Sequence, residues 1–89
     1  MANTKSAEKR VRVSERRRLR NRMVRGQTRA AVKRFEQSVG QVDRAEAEKL
    51  LREAISRLDK AASKGVIHPN AAARKKSRLY KRLNQLQSA

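Results

Sequence analysis

The stretch Arg16-Arg17-Arg18-Leu19-Arg20-Asn21-Arg22-Met23-Val24-Arg25 packs basic residues so densely that it must either meet a polyanion or repel itself, and residues 16–34 contain no acid to relieve it. From Arg18 the basic positions recur at Arg22, Arg25, Arg29 and Lys33, steps of four, three, four and four that form one continuous stripe on a helix. Val24, Thr28, Ala31, Val32, Phe35 and Val39 fall together on another face, roughly 120° away at about 100° per residue. Such a helix can dock on protein with one side and on phosphate with another.

The remaining chain supplies what the apolar side needs. Gly40 follows the last periodic residue as a C-cap, and Asp43 with Glu46 three residues on reads as an acidic N-cap. The turn between them is short, so the two helices should be antiparallel neighbours. Ala47, Leu50, Leu51, Ala54, Ile55, Leu58, Ala61 and Ala62 then repeat at threes and fours, the clearest helical signal in the chain, and Gly65 ends it. Residues 43–64 carry six basic and five acidic side chains, so this helix supplies core and a nearly neutral outer face. Pro69 at the first helical position, or Asn70 as N-cap, starts a third helix whose apolar face is Ala72, Leu79, Leu83 and Leu86, with Tyr80 on the flank as an edge of the core. Opposite lie Arg74, Arg78 and Lys81, flanked by Lys75 and Arg82, and residues 71–89 hold six basic and no acidic side chains.

The expected fold is therefore all-α: a three-helix bundle with a long, basic N-terminal helix projecting beyond the core. Residues 1 to about 5 read as a disordered start, helix 1 covers about 6–39, helix 2 about 43–64 and helix 3 about 69–87, together one helical domain over 1–89. Some 32 residues of helix 1 would span about 48 Å, too long for a compact bundle of this size. Ahead of Arg18 its larger apolar side chains, Val11 and Val13, cannot share a helical face. This front part is expected to order as its charges are neutralised.

Composition narrows the partners. In 89 residues with 37% hydrophobic content, one Phe, one Tyr and no Trp, the core is small. A net charge of +17 adds self-repulsion and attracts nucleic acid or an anionic membrane surface, so a partner should contribute to the fold. Without cysteine there is no disulfide framework and no cysteine-based zinc site. No apolar run approaches the roughly 18 residues of a spanning helix, and the opening lacks a secretory apolar segment. The Arg-rich start resembles a transit peptide in composition, but it runs unbroken into the periodic helix.

The stretch Lys64-Gly65-Val66-Ile67-His68-Pro69-Asn70-Ala71-Ala72-Ala73-Arg74-Lys75-Lys76-Ser77-Arg78-Leu79, the opening Met1-Ala2-Asn3-Thr4-Lys5-Ser6-Ala7 and the Arg-rich first helix together resemble the bacterial small-ribosomal-subunit protein family S-twenty. The similarity covers essentially the whole chain, and departs from the family pattern at Pro69, where a basic residue is common. The resemblance implies a three-helix bundle that binds small-subunit ribosomal RNA directly, low on the body of the subunit, and assists assembly. It also implies a cytoplasmic protein, monomeric within the ribosome, that is no enzyme and needs no cofactor, metal, membrane or small-molecule substrate.

The residues expected to contact RNA are Lys5, Lys9, Arg10, Arg12, Arg16, Arg17, Arg18, Arg20, Arg22, Arg25, Arg29 and Lys33 of the first helix, His68 and Asn70 of the loop, and Arg74, Lys75, Arg78 and Lys81 of the third. Arginine suits bridging because its planar fork binds two phosphate oxygens, and recognition of duplex RNA is mainly of shape. A lone His68 without neighbouring ligands is more often a turn residue or helix cap than a metal ligand. Gly26 either permits close approach of backbone or simply weakens the helix. A nucleoid DNA-binding protein and a membrane-surface helix are the competing readings, since phosphate attraction is sequence-independent. Against them stand the missing dimerising zipper and the poverty of aromatic anchors. No acid–base pair, metal cluster, nucleophile with a base or glycine-rich phosphate loop supports an enzyme.

Overall fold

The computed structural model describes residues 5–88, and side chains over 5–85. Three helices run in order, α1 (Lys5–Ser38), α2 (Arg44–Ser63) and α3 (Pro69–Ser88), with no strand among the described residues. The all-α architecture with a long first helix is thus as the charge and apolar periodicities demand. Residues 1–4, expected as an irregular start, lie outside the described residues. Lys5, expected to belong with them, opens α1 instead, and Glu8 in the first turn favours that end through the helix dipole.

Each helix end has a local cause. Asp43 caps α2, its carboxylate accepting from the Glu46 N–H at 2.9 Å. At the other end Val66 N–H donates to Ala61 O at 2.9 Å and Gly65 N–H to Ala62 O at 3.0 Å, the double closure that a residue of positive φ permits. Gly65 supplies it with φ of 75°, and Gly40 closes α1 with φ of 83°. Pro69 occupies the first position of α3, so Asn70 lies inside the helix. The cap is His68, whose Nδ1 accepts from the Asn70 N–H at 3.0 Å.

The helix α2 packs against both α1 and α3, whereas α1 and α3 barely touch. Ala31, Val32 and Phe35 of α1, Ala47, Leu51, Ala54 and Leu58 of α2, and Leu79 and Leu83 of α3 form one buried cluster. Val24, Ala61 and Val66 form a second, beneath the α2–α3 turn. The fully buried alanines of α2 let its neighbours approach closely, and Phe35, 0% exposed, is the large side chain of this core. The buried hydroxyls are satisfied within α1: Thr28 Oγ1 donates to Val24 O and Ser38 Oγ to Phe35 O, each at 2.7 Å. Leu50, Ile55, Val39 and Ile67 are half-buried at the edges of the cluster. Tyr80, expected at the core edge, is 50% exposed and does not belong to it. The side chain of Leu86 lies outside the described residues.

Val24 is the first buried residue of α1, so residues 5–23 form an arm of about 28 Å beyond the bundle. The molecule accordingly measures 67 × 22 × 13 Å. Along the arm Val11, Leu19 and Met23 are 56–64% exposed. Apolar packing therefore does not hold the arm helical. Like charges four residues apart oppose it, at Lys5 and Lys9, Arg12 and Arg16, Arg16 and Arg20, and Arg18 and Arg22, each by roughly 0.2–0.5 kcal/mol.

Two outcomes are expected. Phe35→Ala should cost about 3–5 kcal/mol in denaturant unfolding, whereas Leu19→Ala should change stability by less than about 0.5 kcal/mol. Raising sodium chloride should increase the helical circular dichroism signal of the free protein by screening the arm, and a signal that falls or stays flat would contradict it.

Candidate nucleic-acid interface

Lys5, Lys9, Arg10, Arg12, Arg16, Arg17, Arg18, Arg20 and Arg22 all lie on the arm, where no other part of the bundle covers them. Neighbours in sequence are separated by about 100° around a helix, so Arg16, Arg17 and Arg18 point to different sides and the arm is basic around most of its circumference. Among the described residues none of these cations is held in an ion pair or side-chain hydrogen bond. Their only acidic companions on the arm are Glu8 and Glu15.

The bundle shows the opposite arrangement. Arg34 meets Glu53 at 3.2 Å, Arg44 meets Glu48 at 2.9 Å and Lys76 meets Asp59 at 2.7 Å, each pair using a carboxylate of α2. Arg57 donates to the Gln27 side chain at 3.3 Å. The three ion pairs are partly exposed and add little stability.

Where the basic stripe of α1 enters the bundle, it becomes one wall of a groove between α1 and α3. Arg25, Arg29 and Lys33 stand on the α1 side and Lys75 on the α3 side, over a floor of Val32, Leu58, Ile67 and Ala71. The groove has a volume of about 600 Å³. It exists because α1 and α3 each pack on α2 and barely on one another. Two contacts cross it: Arg25 Nη2 donates to Val66 O at 3.5 Å, and Lys75 Nζ lies 3.3 Å from Glu36 Oε1. Further along, Arg78, Lys81 and Arg82 continue the wall beside Glu36, Leu79 and Gln85. Higher on α1, Arg18, Asn21, Arg22, Arg25 and Arg29 surround a shallow depression at Gly26. A side chain at Gly26 would meet nothing within 4 Å, so no other described part of this protein requires the glycine.

The expected site residues therefore divide. The structure brings Arg25, Arg29, Lys33, Lys75, Arg78 and Lys81 to one surface and leaves the arm cations as its extension. Arg74 is exposed on α3 but does not line the groove. Asn70 is exposed on the first turn of α3, while His68 uses one ring nitrogen for the cap. Arg82, expected only as a flank, belongs to the wall. Its signal is the spacing of Ala71, Lys75, Arg78 and Arg82, steps of four, three and four along one face.

Among the described residues no three histidines, cysteines or carboxylates gather to hold a metal ion. No helix among them is long and apolar enough to cross a membrane.

A family model described as ribosomal protein S20 matches residues 2–84. A small ribosomal subunit protein bS20 from Dictyoglomus turgidum is 53% identical over 89 residues, covering 100% of this chain and 96% of its own. Proteins described in the same words from Mycolicibacterium smegmatis and Clostridium perfringens are 54% and 51% identical over 86 residues, covering 97% of this chain and 100% and 99% of theirs. With a family match across all three helices and relatives aligned nearly end to end, the chain belongs to the ribosomal protein S20 family.

Proposed function

We propose that this chain is a structural constituent of the bacterial small ribosomal subunit, in the cytoplasm, and that it binds small-subunit ribosomal RNA directly through α1 and α3 as one RNA-binding unit. The observation that carries the direct contact is the division of charge. Basic residues run without a single acid from Arg16 to Arg34 and on into the α1–α3 groove, while α2 carries acidic and basic side chains in nearly equal number. A polyanion is thereby directed to one face.

Mechanically the molecule is a bridge. Its 67 Å length lets the arm and the bundle reach RNA segments that are distant in sequence and adjacent in the folded subunit. Bound guanidinium groups lower the repulsion between the phosphates of those segments, and phosphate contacts fix position rather than read bases. Folding of the arm is coupled to the same event, since phosphates neutralise the like-charge pairs that oppose its helix. Assembly of the subunit is assisted because RNA strands held together once remain close for later contacts. The chain acts as one copy, and no step of this role requires catalysis, a cofactor or a metal.

Changing Arg18, Arg22, Arg25 and Arg29 together to Gln should weaken binding to small-subunit ribosomal RNA and flatten its salt dependence by about 0.7–0.9 log unit per log salt for each phosphate no longer neutralised. An unchanged slope would remove these arginines from the interface. Equal affinity of the unaltered protein for ribosomal RNA, duplex DNA of the same length and anionic vesicles would reduce it to a general polycation.

A further inference from the structure

We propose that the α1–α3 groove receives a single extruded guanine of the small-subunit RNA, with the Glu36 carboxylate holding its base edge; this rests on the RNA-binding reading above. The groove differs chemically from the rest of the basic surface. Its floor is aliphatic, made by Val32, Leu58, Ile67 and Ala71, and cations rise on both sides of it. A duplex backbone needs cations but gains nothing from an apolar floor. An unpaired nucleotide turned out of its helix needs both: the floor covers a face of the ring, and the cations hold the phosphates on either side of it. The groove's volume of about 600 Å³ lies within the 300–1,000 Å³ typical of small-ligand sites, ample for one nucleoside. No aromatic side chain lines it, so it offers no stacking platform for a run of bases.

Glu36 gives the occupant its identity. It is the one acidic residue lining a groove otherwise walled by cations, in a molecule whose other described bundle carboxylates belong to α2 or its N-cap. Its Oε1 is paired with Lys75 at 3.3 Å, and its Oε2 has no hydrogen-bond partner among the described residues. An ionised carboxylate only accepts hydrogen bonds. Among the four bases guanine alone places two donors side by side, N1–H and the N2 amino group, where both oxygens can accept. Lys75, already beside this carboxylate, offsets the cost of bringing it near phosphate.

The test uses the full-length chain at saturation on full-length small-subunit ribosomal RNA. Kethoxal, which adds across N1 and N2 of unpaired guanine, reports the base edge, and hydroxyl-radical cleavage reports the backbone. The wild-type protein should protect one unpaired guanine by about tenfold or more, the discrimination of a good two-bond pair. Ala71→Phe, which fills the groove from an exposed position on α3, and Glu36→Gln should each lose that protection while thermal unfolding and the backbone footprint left by the arm, residues 5–23, stay unchanged. A backbone footprint without a protected unpaired guanine overturns the proposal, as does protection that survives Ala71→Phe. Protection that survives Glu36→Gln overturns the carboxylate's part and with it the choice of guanine. An absent backbone footprint would fell the RNA-binding reading itself.

Discussion

Everything in this molecule depends on α2 being packed from two sides. A chain with so few large apolar residues cannot bury three mutual interfaces, and it does not try. Leu51, Ala54 and Leu58 receive Phe35 and Val32 from α1 and Leu79 and Leu83 from α3 in one shared cluster. Small residues at positions 47, 54 and 61 reduce the distance across which those larger side chains must reach. The two basic helices are thus fixed beside each other without having to touch, which like-charged surfaces would resist. The nearly neutral helix is the adhesive between them.

The same arrangement explains how charge is distributed. The carboxylates of α2 pair with Arg34, Arg44 and Lys76, one cation from each helix. Away from α2 the carboxylates of the helices are Glu8, Glu15 and Glu36, and of these Glu36 pairs with Lys75. Packing and the placement of acids in the sequence therefore both set α2 apart from the two basic helices.

The architecture was legible because its signals are local and periodic: threes and fours from Ala47 to Ala62, glycine at 40 and 65, and Asp43 three residues before Glu46. Depth was not. Periodicity gives the direction of a side chain on its own helix, and Leu50 and Ile55 share the apolar face of α2 yet are only half-buried at the edge of the cluster. Tyr80, on the flank of the apolar face of α3, is left half exposed. The role of Arg82 depends on where α1 lies relative to α3, which neither helix encodes alone. His68 could be read as a turn residue or a cap but not as one rather than the other, because the choice rests on where its ring nitrogen points. The pairing of Lys75 with Glu36 joins residues 39 apart in sequence, beyond the reach of any local pattern. Family resemblance identified the chain as a whole, but it could not supply this geometry.

The missing seam between α1 and α3 also gives the protein a direction of mechanical softness. The polar contacts that span the gap are few, the Lys75–Glu36 pair between the helices and the long hydrogen bond from Arg25 to Val66 in the turn before α3. Squeezing or shearing either helix against α2 would instead disrupt close-packed side chains, which yield poorly. The bundle is therefore like a calliper with one closed hinge of packed side chains along α2 and a gap between α1 and α3 held by few bonds.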